Sequence, residues 1–247
     1  MFVSLLLPLL LVCQPTIKTA PEISILADAI ELSTEQWQGF TQPDHTGAYF
    51  DLVRLIYKPY QPRLLITFTN YNRALTMVRQ KKSDMTLAIS AANNSGILLS
   101  DQPIDQDKIM AIYNPQYHQL NKLDDLKPLR LAWNLAYDFD TILGLENTGY
   151  EVQSIEQGIE LTLKQRVDVY LAEQSQVVYY LAKQQQSLTP LNAKLIATDD
   201  IYAGFADTET GRQLKCIWDS RFQSLLNSGE LQHFYQQYDD FYLKSKQ

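Results

Sequence analysis

The chain is 247 residues long, 45% hydrophobic and 20% charged, with 9 Gly and 10 Pro. That composition excludes a fibrous or broadly disordered protein and allows one large domain or two smaller ones. A formal net charge of −7 and a pI near 5.0 exclude nucleic acid as the main partner, because phosphate binding needs a basic face and no basic cluster exceeds Lys81-Lys82.

Phe2 to Val12 (FVSLLLPLLLV) is an apolar run too short to span a bilayer and suited to a signal-peptide core. Two outcomes stand. Residues 1–20 are a cleaved signal and the chain is exported, or the chain is lipid-anchored through Cys13. Either way the expected location is the periplasm. Cys216, in the amphipathic LKCIW, is expected as a packed thiol. His45, His118 and His233 are too far apart in sequence to form a metal-ligand spacing, so no metal and no cofactor is expected.

EISILA (Glu22 to Ala27) reads as the first strand. Tyr49 to Pro59 follows as a helix, with Phe50, Val53 and Tyr57 at helical spacing and Pro59 as its stop. LLITF (Leu64 to Phe68) is a strand, Asn72–Lys82 an amphipathic helix with a basic turn, and Asp84–Ile89 a strand. MAIY (Met110 to Tyr113) and LRLAW (Leu129 to Trp133) are further strands. Ser154 to Gln157 fits a capping box, in which a side-chain hydroxyl and amide satisfy free backbone N–H groups at a helix start. That helix ends in the basic turn Lys164-Gln165-Arg166, and the strand Asp168–Ala172 follows. A helix over Ser175–Lys183, strands at Ala193–Ala197 and Ile201–Phe205, and helices at Gly211–Leu226 and Leu231–Tyr238 complete the pass. DMTLAI and DVYLAE align without a gap, so a helix-turn-strand unit occurs twice. The alternation implies an α/β fold of mostly parallel sheets. Crossings near Pro103–Lys108 and Thr198–Ile201 would give a discontinuous lobe 1 (21–107 and 199–247) and an inserted lobe 2 (108–198).

Seven segments in order carry a resemblance: WQGF (Trp37–Phe40), GAYFDLVRLIY, RALTMVRQKKSDMTLA, SDQPI, DDLKPLRLAW, QRVDVYLAE and SLLNSGELQHFYQQY. Together they resemble the type 2 periplasmic solute-binding proteins typified by polar amino-acid receptors of ABC transporters (extracellular solute-binding protein family 3). The resemblance implies a two-lobed fold, each lobe a mostly parallel sheet flanked by helices, with two hinge crossings and closure on a ligand beyond the carboxyl ends of the strands.

The resemblance also implies a cleft Arg that grips an α-carboxylate bidentately. Every register here gives Asn93, Asn94 or Gly96 instead, and the lobe 2 Gly-Thr-Thr is replaced by Ala136-Tyr137-Asp138. Glu173 stands where the family holds the ligand's ammonium; a solvated helix-start carboxylate is the plainer alternative. Trp37 and Phe40 are candidate stacking surfaces. Tyr71, Arg73, Ser90, Asn94, Tyr137 and Asp138 complete the candidate contacts. Arg73 is a substitute clamp or simply a solvent-facing first-turn residue.

The implied function is an exported binding protein, not an enzyme. It would act as a monomer on a small polar solute, handing it to an ABC permease or reporting it to a membrane sensor. Two alternatives stay open: a sensory or interaction module without a transport role, and a dehydratase-like enzyme on the same scaffold, for which Glu173 and Asp138 are the only candidate acids.

Overall fold

The computed structural model describes residues 28–146, 149–185 and 187–238. The expected signal core, Cys13 and the strand expected over Glu22–Ala27 lie outside them. The elements are β1 (Ala29–Thr34), α1 (Ala48–Tyr57), β2 (Arg63–Phe68), α2 (Tyr71–Arg79), β3 (Met85–Ser90), β4 (Ile97–Leu99), β5 (Asp105–Tyr113), β6 (Leu131–Asn134), α3 (Phe139–Leu143) and β7 (Tyr150–Val152). They continue with α4 (Ile155–Leu163), β8 (Val169–Glu173), α5 (Gln174–Gln184), β9 (Asn192–Ala206), α6 (Glu209–Ser228) and α7 (Glu230–Gln236). Among the described residues no helix is long and apolar enough to cross a membrane.

The sheet order is β2-β1-β3-β9-β5-β8-β6-β7, with β4 also on β9. Two parallel triads, β2-β1-β3 and β8-β6-β7, occupy the ends, and β5 and β9 run antiparallel between them. The two strands expected over Ala193–Ala197 and Ile201–Phe205 are one strand of 15 residues. Thr198-Asp199-Asp200 has the composition of a break, yet Asp199 and Asp200 stay in the ladder opposite Asp107 and Gln106. From Asn192 to Ile201 β9 pairs with β5, and from Ile201 onward it pairs with β3 and β4.

One core lies between the β1-β3-β9 region and helices α1, α6 and α7. Trp218 packs there on Tyr57 and Phe205, with ring centroids 6.0 and 5.9 Å away. The β5-β8-β6 region is buried on both faces. Leu131, Trp133, Val169 and Leu171 belong to one cluster, and Ala132, Tyr170 and Ala172 to the other, which is the period-two alternation of a strand covered on both sides. Cys216 lies on α6 and is half-buried, outside the set of fully buried side chains of that helix, where the sequence suggests a packed thiol.

The internal repeat recurs in the caps, turns and strand-opening residues of the two units. Asn70 and Ser154 are the N-caps of α2 and α4, accepting from the amides of Arg73 and Gln157. The Gln157 side chain accepts from the Gln153 amide, one residue earlier than the expected capping box. Lys81 and Gln165 hold the same left-handed conformation in the two basic turns. The aligned aspartates then do one job. Asp84 accepts from the amide of Glu31 within β1 at 2.9 Å, and Asp168 from the amide of Arg130 just before β6 at 2.8 Å, each tying its own strand to the neighbouring parallel one.

Gly158 on α4 shows how tightly the second unit packs. A Cβ there would sit 2.4 Å from the ring of Tyr170, which is fully buried. Gly→Ala in a helix normally gains up to ~1 kcal/mol, whereas overpacking costs about 1–3 kcal/mol. Gly158→Ala is therefore expected to destabilise the protein by roughly 1–2 kcal/mol in urea unfolding, and a gain in stability would contradict the packing described.

Candidate functional site

Between the two triads lies a cleft of about 610 Å³. The loop after β1 supplies Glu35, Trp37 and Phe40. Gly47 explains why that loop is fixed: its φ of 118° and a Cβ position 2.5 Å from the Phe40 carbonyl oxygen leave room only for glycine. The amides of Ala48 and Tyr49, opening α1, then bond the carbonyls of Gly39 and Phe40. Trp37 is held edge-on to Tyr49 at 6.5 Å and tilted against Tyr71 at 6.0 Å. Tyr71 is buried, and its hydroxyl donates to the Ala88 carbonyl at 3.1 Å. Ala88 sits at φ 56° in an irregular stretch of β3, a bulge that turns this carbonyl toward Tyr71 and is of a kind found beside binding sites.

From the other side comes Tyr137, flanked by Ala136 at φ 78° and Asp138 at φ 45°. Two left-handed non-glycine residues around one aromatic are strain held by the surrounding structure. The phenol oxygen of Tyr137 accepts hydrogen bonds from the Trp37 indole and the Gln176 side chain, and its ring lies 6.5 Å from that of Tyr71. Burial, then the charges of Glu173 and Glu35, hold its proton well above the usual phenol range.

The floor is acidic. Asp105 and Asp107 project from β5, Glu173 ends β8, and Asp199 lies on β9. Asp105 is 1% exposed and bonded by the Tyr49 hydroxyl at 3.3 Å. Asp107 and Glu173 share a hydrogen bond. Each keeps an edge open to the cleft while protein surrounds it otherwise. Burial, reinforced by the neighbouring carboxylates, raises both; Glu173 is pushed up to about 7. The shared bond needs a proton between the two carboxyls, so the pair holds one more firmly than two separate carboxylates would. Burial also raises Glu35 and Asp199, against opposing hydrogen bonds from the Tyr71 amide and from Ser90.

Of the residues nominated from sequence, Trp37, Phe40, Tyr71, Ser90, Tyr137 and Glu173 line this one cleft. Glu173 occupies the N-cap position of α5 but makes no side-chain cap, so its carboxyl faces the cleft and not its own helix. Arg73, Asn94 and Asp138 are outside the lining. Arg73 is exposed on the first turn of α2, Asn94 is exposed after a short 3-10 turn (Ala91–Asn93), and Asp138 is the residue before α3. Sequence reasoning missed Glu35, Tyr49, Asp105, Asp107, Asn134, Gln176 and Asp199. The signal lay in DQD and TDD at the two crossings: Asp105 and Asp107 alternate on a strand and so share a face.

No family model matches the chain, and no curated protein matches it. Solved structures do. A histidine kinase sensor domain with similarity to periplasmic binding proteins aligns at TM-score 0.70 and 12% identity, over 86% of this chain and 96% of that one. An arginine-, lysine- and histidine-binding protein from the thermophilic bacterium Geobacillus stearothermophilus aligns at TM-score 0.66 and 16% identity, over 89% and 100%. An ABC uptake transporter substrate-binding protein from Streptococcus pneumoniae, with bound histidine, aligns at TM-score 0.64 and 15% identity, over 86% and 92%. The chain has the type 2 periplasmic-binding-protein fold. At these identities the likeness speaks for the fold alone. Within that fold, the acidic floor lies where β5 and β9 join the two parallel triads.

Proposed function

We propose that the protein is an exported solute-binding protein that captures a small cationic ligand between two lobes, 21–107 with 199–247 and 108–198, and catalyses nothing. The observation that carries this reading is the meeting, in one cleft, of aromatic walls with the Asp107–Glu173 pair and without arginine among the described lining residues. Aromatic faces and carboxylates both favour a cation, and both lose water when lobes close over it. The missing arginine argues against the carboxylate grip of a standard amino-acid receptor. It equally weakens the dehydratase-like alternative, whose acidic substrate would need such a grip.

Thermal shift tests the reading. Organic cations at about 100 times their Kd are expected to stabilise the protein by about 2.7 kcal/mol, visible as a raised midpoint. Dicarboxylates and neutral sugars are expected to leave it unchanged. A midpoint raised by anions alone would reject the cationic cleft. The capture event can serve an ABC permease or a membrane sensor. The sensor reading draws its support from the kinase sensor domain, which aligns at TM-score 0.70.

A further inference from the structure

One hydrogen bond spans the cleft between its aromatic walls, and its meaning rests on the two-lobe capture reading. Trp37 belongs to the loop after β1, in lobe 1. Its amide donates to the Thr41 hydroxyl at 3.0 Å, and its carbonyl accepts from the amides of Phe40 and Thr41, so its backbone is fixed on that side. Tyr137 belongs to lobe 2. The left-handed residues on either side of it are pinned there, the Ala136 amide by Glu151 at 3.2 Å and the Asp138 carbonyl by the Ile142 amide at 3.0 Å. Across the gap, the Trp37 indole donates to the Tyr137 oxygen.

Lobe 2 holds that oxygen ready. The hydroxyl of the fully buried Tyr170 donates to the Asn134 side-chain carbonyl at 2.8 Å, the Asn134 side-chain amide to the Gln176 carbonyl oxygen at 3.4 Å, and the Gln176 side-chain amide to Tyr137. Each amide is oriented by the one before it, and the relay runs from the core of lobe 2 to the cleft. Two further contacts join the same walls. The Tyr71 and Tyr137 rings lie 6.5 Å apart, and Arg79, held by the Asn93 and Ser95 carbonyls at 2.8 and 2.9 Å, sets its charge against Asp138. With these contacts made, the cleft still has about 610 Å³, room for a small ligand. The bond bridges the ligand space without filling it.

We propose that the Trp37–Tyr137 bond is a clasp between the lobes, one that holds the cleft shut and governs how often it opens. Both partners are protein groups, so the clasp favours closure of an empty and of a filled cleft alike. A single hydrogen bond biases such an equilibrium by about 3- to 10-fold.

Single-molecule FRET on the protein without added ligand tests this, with dyes attached to unnatural residues replacing Lys58 and Lys164. Both positions are exposed, and each lies at the far end of a helix that starts beside the cleft, α1 near Tyr49 and α4 near Gln153. Tyr137→Phe keeps the ring and removes the acceptor, and is expected to raise the open-to-closed ratio about 3- to 10-fold. Trp37→Phe removes the donor and should do the same. The double variant should add nothing to either single one, because both break one bond. Circular dichroism checks folding, and Trp37→Phe carries the test alone should Tyr137→Phe unfold. A ratio that neither substitution moves, or two effects that simply add, would overturn the clasp. Either result leaves solute capture, which the thermal shift tests separately, intact.

Discussion

Glu173→Gln is expected to weaken the binding of any ammonium ligand by about 100-fold while leaving the fold in place. The carboxyl shares a hydrogen bond with Asp107 on one side and faces the cleft on the other. Gln keeps the acceptor for Asp107 and a similar volume but removes the charge. A desolvated, charge-assisted hydrogen bond contributes about 1.5–3 kcal/mol, and the aromatic walls cannot replace it, because a cation over a ring contributes about 0.5–2 kcal/mol. Calorimetric titration of the variant with the tightest ligand of the wild type checks this, with circular dichroism as the control for folding. Arg73→Ala, on an exposed first turn outside the cleft, is the matched comparison and should change the affinity less than about twofold. If the two variants behave alike, Glu173 is not the cation's partner.

The architecture was more legible in the sequence than the ligand was. Amphipathic periodicity over 72–82 and the gapless match of DMTLAI to DVYLAE lead directly to α2-β3 and α4-β8, because helix caps, basic turns and strand-opening aspartates are local features of the chain. Short elements without strong periodicity escaped: β4 and β7 have three residues each and α3 has five. β1 escaped for a different reason. The segment AIELST mixes polar with apolar residues, yet Ile30 and Leu32 are fully buried against the core and Ser33 and Thr34 are buried beside them. Packing on a sheet can make a strand of a segment that is not strongly apolar.

The cleft divides the same way. Trp37, Tyr71 and Glu173 follow from their place after a strand or at a helix start, which an aligned motif can supply. Asp107 and Asp199 do not, because what unites them is a cross-strand register between β5 and β9 that runs through two distant segments. Glu35 is harder still. In sequence it is a polar residue after a strand, and only the fold sets its carboxyl on the Tyr71 amide.

The stability of the ligand-free protein is expected to fall as pH rises from about 5 to 8, the opposite of what surface ion pairs alone would give. Glu35, Asp107, Glu173 and Asp199 all hold their protons more firmly in the folded chain than in the unfolded one, burial being the first cause in each. A carboxyl raised in this way contributes stability in full below its unfolded value, near 4.3 for Glu, and loses it as pH climbs through its folded value, about 7 for Glu173. Glu173 alone, discounted for its edge on the cleft, would account for about 2 kcal/mol across that window. The carboxylates held low, such as Asp168 against Arg130, act in the other direction, but only as pH falls through their own depressed values. Stability should therefore peak near pH 5. A bound cation replaces the missing protons with positive charge, so its affinity should rise over the same interval and the stability curve should flatten. Urea unfolding midpoints at pH 5, 6, 7 and 8, with and without ligand, measure both effects, and Glu173→Gln should lose most of the slope. A ligand-free midpoint that climbs steadily to pH 8 would mean that the cleft carboxyls are already ionised and solvated, and the acidic floor would then hold no proton for a cation to displace.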